Sequence, residues 1–111
     1  MPTLTSKYPE VKNYIAGELT ANGQKRMDIH SPLDGTVIST VPLSSASDLD
    51  KAVQAAEAAF PAWSGTPIKE RAQIFFRYRE LLLKNREELA VLVHTENGKT
   101  LDESYAEVDR S

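Results

Sequence analysis

The side chains with the most obvious chemical capacity crowd the end of the chain, in LDESYAEVDRS. Asp102, Glu103, Glu107 and Asp109 lie there, and the spacing of Glu103 and Glu107 puts both on one face of a helix. Two carboxylates so placed could hold a cation or share a proton; the plainer reading is an acidic helix start favoured by the macrodipole. Arg110 follows them, with a surface side chain as its default. The two histidines, His30 and His94, are far apart and have no acid or thiol at ligand spacing around both, which points to structural roles. ENGKT contains Gly-Lys-Thr but lacks the earlier glycine of a phosphate loop. All five glycines, Gly17, Gly23, Gly35, Gly65 and Gly98, are isolated, so no dinucleotide fingerprint can be built either. A helix C-cap, a loop and a new cap account for ENGKT. The absence of cysteine removes disulfides, thiolate metal sites and a cysteine nucleophile. Trp63 with Phe75, Phe76 and Tyr78 could stack bases, but helical spacing and mixed charge favour core packing. Composition and spacing alone give no active site.

These groups need elements to hold them. KNYIAGEL, KRMDIH and TVISTV have strand composition and are separated by Asn22-Gly23 and Asp34-Gly35, so a short antiparallel meander over about 12–41 is expected. Pro32 and Pro42 mark strand ends. A piece this small has exposed edges and a thin apolar face, and leans on other parts of a larger structure. From Ser45 the period changes. Ser45 with Asp48 forms a capping-box-like start, and Leu49, Ala52, Val53, Ala56, Phe60 and Trp63 recur on one helical face. Pro61 predicts a kink or end near Phe60. Thr66 as cap and Pro67 at the first helical position open a second helix with the stripe Ile74, Phe75, Tyr78, Leu81 and Leu82. Asn85 with Glu88 predicts a break and a third segment presenting Leu89, Leu92 and Val93, closed by Gly98 as a left-handed cap. Thr100 with Glu103 then opens the last helix. Such a cap is worth about 1 kcal/mol, too little to hold a lone helix of about ten residues in water, so this helix needs tertiary partners.

The totals fit one ordinary domain: 111 residues, 41% hydrophobic and 26% charged, above the roughly 60 residues at which burial becomes marginal. Sixteen acids against 13 bases give a net charge of −3. Lys69, Arg71, Arg77, Arg79, Lys84 and Arg86 interleave with Glu70, Glu80, Glu87 and Glu88, which leaves no uncompensated basic face for nucleic acid. The start lacks the apolar run of a secretory signal and the arginine-rich character of an organelle presequence. IFF, LLL and LAVLV fall far short of the roughly 20 residues that cross a bilayer. A cytoplasmic protein with no membrane or nucleic-acid partner is expected. No repeat, low-complexity tract or flexible linker divides the chain.

NYIAGEL, DIHSPLDGTVISTVP and AVQAAEAAFPAWSGTPIKERAQIFFRYRELLLKNREELAVLVHTENGKTLDESYAEV together resemble, in order and without large gaps, the amino-terminal part of the aldehyde dehydrogenase superfamily from about Lys12 onward. ENGKT followed by EVDR is most similar to the methylmalonate-semialdehyde dehydrogenase branch, whose members are NAD-dependent and form an acyl-CoA. The resemblance implies an α+β fragment of an α/β enzyme: a short antiparallel β-meander, an α-helical hairpin and the start of a further helix. Residues 1–111 would be the amino-terminal segment of the NAD-binding half, with strands over about 12–41 and helices over about 46–111. The main Rossmann part, the catalytic domain with its cysteine and an oligomerising flap would lie in chain beyond. NAD and CoA are the implied cofactors, held mostly by those downstream parts. The implied partners are a semialdehyde such as methylmalonate or malonate semialdehyde, the remainder of the same polypeptide, and further copies in a dimer or tetramer. Alone, the chain is expected to be inactive.

Two positions acquire roles from the resemblance. Arg110 matches the arginine of the branch's EV-x-R pattern, which lines the aldehyde pocket and grips the substrate's carboxylate. A guanidinium offers a planar two-pronged donor suited to that task, worth roughly tenfold to a hundredfold in selectivity. Ala106 and Ser111 stand where the branch carries glycine. The superfamily also implies a structural sodium or potassium ion between a carboxylate at Glu107 and backbone carbonyls near Ile29. A different class of reading stays open: a free-standing helical-hairpin module for interaction or assembly, without enzymatic activity.

Overall fold

The computed structural model describes residues 8–20 and 25–111, so the expected Asn22-Gly23 turn lies outside the described residues. The element order is β1 (Asn13–Ile15), β2 (Glu18–Thr20), β3 (Arg26–His30), β4 (Val37–Pro42), α1 (Ala46–Gly65), α2 (Ile68–Lys84), α3 (Arg86–Asn97) and α4 (Leu101–Arg110). Strands precede helices, as the sequence predicts. The chain divides into two compact units, one formed by the described residues up to His30 with Thr36–Gly65, the other by Ser31–Gly35 with Thr66–Ser111.

In the first unit the antiparallel strands form two two-stranded sheets, β1-β2 and β3-β4. The difference from a three-stranded meander begins inside KNYIAGEL, which is a complete hairpin pairing Asn13 with Thr20 and Ile15 with Glu18. Its turn residues Ala16 and Gly17 both take positive φ, 52° and 81°, the pattern of a two-residue turn whose twist matches the strands. Gly17 adopts this freely, whereas Ala16 does so at a cost of about 1–2 kcal/mol.

In the second sheet Arg26 pairs with Pro42 and Ile29 with Ser39; an irregularity between Ile29 and His30 then sets His30 opposite Val37. The segment before β1 also lies along β4, because Tyr8 N–H donates to the Ile38 carbonyl at 3.2 Å and Val11 N–H to that of Thr40 at 3.0 Å. Arg26 ties these layers together. Its Nη2 donates to the carbonyls of Val11 and Thr40 at 2.6 and 2.9 Å, and its Nε to Thr40 Oγ1 at 2.7 Å. Ile38 is the buried apolar centre.

Helix α1 starts on the expected box: Ser45 N–H donates to Asp48 Oδ2 at 2.8 Å and Asp48 N–H to Ser45 Oγ at 3.2 Å. It packs on β1 through its alanine face, with Ala52 and Ala55 beside Tyr14 and Ile15. Of the predicted kink or end near Phe60, the end is corrected: the helix runs on through Pro61 to Gly65. Pro61 removes a single N–H, the one that would reach the carbonyl of Glu57, and Glu57 is exposed, so water can satisfy the freed group.

In the second unit α2 begins with Pro67 at the N-cap, one residue later than expected, its carbonyl accepting from Glu70 and Arg71 N–H. Asn85 breaks the helix as predicted, with its backbone and side-chain amides both donating to the Leu81 carbonyl. Gly98 closes α3 at φ 71°, its N–H donating to the His94 carbonyl at 3.0 Å. Helices α3 and α4 form the packed pair of this unit, with Ala90 and Ser104 fully buried. The Ser31–Gly35 loop joins them: Ser31 Oγ donates to the Thr95 carbonyl at 3.5 Å, and Pro32 lies against Gly98.

The expectation that Trp63, Phe75, Phe76 and Tyr78 pack in a core is corrected. All four are exposed, Phe75 at 62%, as are Leu49, Val53 and Phe60 on α1 and Ile74 and Leu81 on α2. Helical spacing groups these residues on a face, but the described residues leave that face exposed. No described helix is long and apolar enough to cross a membrane.

Candidate functional site

The turn between α3 and α4 organises the polar end of the second unit. Gly98 reverses the chain in a left-handed conformation, and His94 Nδ1 lies 2.5 Å from the Lys99 carbonyl oxygen. A carbonyl only accepts, so the proton of this imidazole sits on Nδ1. Thr100 then opens α4 with the predicted box. Glu103 N–H donates to Thr100 Oγ1 at 3.2 Å, and Thr100 N–H donates to Glu103 Oε2 at 3.0 Å. The Thr100 backbone N–H first, and its hydroxyl second, hold the Glu103 carboxyl below its usual range.

The remaining acids of α4 have separate partners. Arg86 Nε and Nη2 donate to Asp109 Oδ1 and Oδ2 at 2.5 and 2.8 Å, a two-pronged pair across 23 residues of sequence. The Arg86 guanidinium also lies 4.5 Å from the centre of the Tyr105 ring. The hydrogen bonds to Asp109 raise the pKa of Arg86, and those from Arg86 lower that of Asp109. This clamp fixes the start of α3 to the end of α4. Beside it a cleft of about 330 Å³ is lined by Phe75, Tyr78, Leu82, Leu83, Arg86 and Val108, among others.

Arg110 is the last residue of α4, its side chain 71% exposed. A cation there complements the negative helix end. Its Nη2 donates to Glu107 Oε2 at 2.7 Å, and the same oxygen accepts from Lys99 Nζ at 2.9 Å. Lys99 first, then Arg110, hold the Glu107 carboxyl below the ordinary carboxylate range. The three side chains, with Glu103 and Ala106, line a hollow of about 280 Å³. Exposed ion pairs contribute little to stability, so the interest of this cluster lies in the charge it presents.

The structure thus brings together two of the expected site residues, Arg110 and Glu107, and adds Lys99, which sequence reasoning missed. Lys99 lies eight positions from Glu107 and outside α4, so no helical spacing links them. Ile29, the other expected cation ligand, lies in β3 of the first unit, and Glu107 in α4 of the second. His30 and His94 likewise belong to different units. Among the described residues no group of three or more His, Cys, Asp or Glu gathers as a metal site. Glu103 and Glu107, spaced to share a proton, instead have different donors.

The described glycines form no phosphate cradle. A phosphate cradle needs glycines where backbone approaches a ligand. A Cβ placed on Gly17, Gly35 or Gly65 would meet nothing within 4 Å, and one on Gly98 would meet only the ring of Pro32.

Comparison with known proteins gives these features a context. The aldehyde dehydrogenase family pattern matches residues 19–111. A malonate-semialdehyde dehydrogenase of Geobacillus thermodenitrificans is 44% identical over 108 residues, covering 96% of this chain and 22% of that protein. Among solved structures, the methylmalonate-semialdehyde dehydrogenase of Oceanimonas doudoroffii superposes with a TM-score of 0.86 at 29% identity, covering 93% of this chain and 21% of that one. A point mutant of betaine aldehyde dehydrogenase from Staphylococcus aureus, in complex with NAD+, gives 0.83 at 33% identity, covering 94% and 21%. The chain spans about a fifth of the length of these relatives. The match over residues 19–111 shows that the chain belongs to the aldehyde dehydrogenase family.

Proposed function

We propose that the chain is the amino-terminal part of an NAD-dependent, CoA-acylating aldehyde dehydrogenase that oxidises a semialdehyde such as malonate or methylmalonate semialdehyde. In this reading Arg110 binds the carboxylate at the far end of the substrate. The observation that carries it is the Arg110 guanidinium at the exposed end of α4, tied to one carboxylate through Nη2 alone among the described residues. Its other N–H donors are then available to a second carboxylate. The 44% identity to a malonate-semialdehyde dehydrogenase supports the same substrate class.

NAD and CoA would be held by lengths of the relatives that this chain does not span, as would the cysteine, since the chain has none. NAD would accept hydride and CoA would take the acyl group; this chain's own contribution is to orient and select. The exposed stripes of α1 and α2 would be covered by the remainder of the same polypeptide, within a homo-oligomer. The 111-residue chain by itself would turn nothing over.

The test is an assay of the full-length polypeptide with malonate semialdehyde, NAD and either CoA or no CoA. The reading predicts NADH formation coupled to a CoA thioester and a preference for this substrate over propanal. A free acid formed at the same rate without CoA, or a preference for propanal, would refute it.

A further inference from the structure

We infer that Lys99 and Glu107 are positioning residues for Arg110, and that Lys99 keeps the cluster cationic so that a substrate carboxylate is attracted to it. The inference rests on the carboxylate-anchor reading of Arg110 and adds two residues that set its strength.

The argument is one of charge balance at fixed geometry. Glu107 Oε2 sits between Arg110 Nη2 at 2.7 Å and Lys99 Nζ at 2.9 Å. With Glu107 as its only neighbour, Arg110 would form a neutral pair, and an incoming carboxylate would meet the negative charge of Glu107 at nearly the same distance as the guanidinium. The ammonium of Lys99 compensates Glu107, so the three groups together carry a single positive charge. Glu103 also lines the hollow, but its carboxylate accepts from the Thr100 backbone and hydroxyl at the positive end of α4. Its charge is thereby engaged at the start of α4.

Geometry also makes the arrangement specific. Glu107 lies one helical turn before Arg110, so the bond to Nη2 orients an otherwise mobile side chain over α4. Lys99 cannot be placed by the helix, because it precedes the Thr100 cap. It is placed by its backbone, through the left-handed Gly98 before it and the His94 Nδ1–H bond to its carbonyl. A lysine held in this way acts on substrate through Glu107.

The experiment measures, in the full-length enzyme, the ratio of kcat/KM for malonate semialdehyde to that for propanal. Lys99→Gln makes the cluster neutral and should lower the ratio about threefold to tenfold through KM for the acidic substrate, as expected for one partly screened unit charge. Lys99→Arg keeps the charge and should hold the ratio within about twofold. The decisive variant is the double change Lys99→Gln with Glu107→Gln, which restores a single positive charge, keeps an amide oxygen able to accept from Arg110 Nη2, and should recover most of the ratio. A purely structural role for Lys99 would give no such recovery, since the double change does not restore the bond that Lys99 made. An unchanged ratio in Lys99→Gln, or no recovery in the double variant, overturns the inference. Arg110→Ala, measured alongside, separates the two levels. If it lowers the ratio while Lys99→Gln does not, the positioning role fails and the anchor stands; if it leaves the ratio unchanged, the anchor reading itself fails.

Discussion

Helix α2 and the α3-α4 pair lie in the same unit and solve opposite problems. Helix α2 has a clear apolar stripe and no buried residue, with Phe75, Tyr78 and Leu81 exposed. In the α3-α4 pair, α3 is less and α4 more strongly amphipathic than α2, and the pair is internally completed. The small residues Ala90 and Ser104 are fully buried in it, Gly98 and the Thr100-Glu103 box satisfy the helix ends, and Arg86 clamps Asp109 and lies over Tyr105. A stripe left exposed therefore records what a helix needs, whereas caps, small residues and ion pairs record what it already has. The polar residues assigned to function lie on the completed pair, where positions are fixed from within the described chain.

That contrast is most sharply tested by overpacking. Ala90→Leu places three extra carbons into a site with no exposure, and should destabilise the chain by about 1–3 kcal/mol in urea melts. Leu81→Ala on α2 should change the same melts by less than about 0.5 kcal/mol, because an exposed stripe contributes little until covered. Equal losses at the two positions would erase the distinction.

Gly98→Ala should have the next largest effect. The left-handed φ of 71° alone costs a non-glycine residue about 1–2 kcal/mol, and the added Cβ would sit 3.3 Å from Pro32 Cγ. A neutral result in the same melts would mean that the α3-α4 turn has freedom the structure does not show.

The smallest effect concerns pH. Paired hydrogen bonds from Arg86 depress the folded-state pKa of Asp109, so their stabilisation is fully present above the unfolded value of about 4 and is lost as pH falls through the lower folded value. Glu103 and Glu107 have the same sign, held low by Thr100 and by Lys99 with Arg110. Asp109→Asn should lower the melting temperature at pH 7 by about 2 °C or less, as expected of exposed pairs. The difference from the unsubstituted chain should shrink as pH falls through the depressed folded-state value and vanish below it, where both forms lack the charge. A difference that persists there would point to packing and away from the ion pair.

Local chemistry was legible in the sequence, and distant pairing was not. The Thr100-Glu103 box, the Gly98 cap, the Asn85 break and the Ser45-Asp48 start all depend on residues within four positions of one another. All four formed as expected. The Ala16-Gly17 turn was missed because alanine rarely takes positive φ, so KNYIAGEL read as one strand. Pro61 does not end α1, since one lost hydrogen bond at an exposed position does not stop a helix of 20 residues. The Arg86-Asp109 clamp and the Lys99-Glu107 bond cross from one element to another, where periodicity carries no information. Arg110 itself stood out only through the resemblance of EVDR to its family; as a residue type at a helix end it is unremarkable.

The central claim is that Arg110 grips the substrate's carboxylate. Its most direct measurement is the kcat/KM of the full-length enzyme and its Arg110→Ala variant with malonate semialdehyde and with propanal. The account predicts that the acidic aldehyde loses roughly tenfold to a hundredfold more than propanal, the cost of removing a charge-assisted hydrogen-bonded pair. Equal losses for the two aldehydes would contradict it.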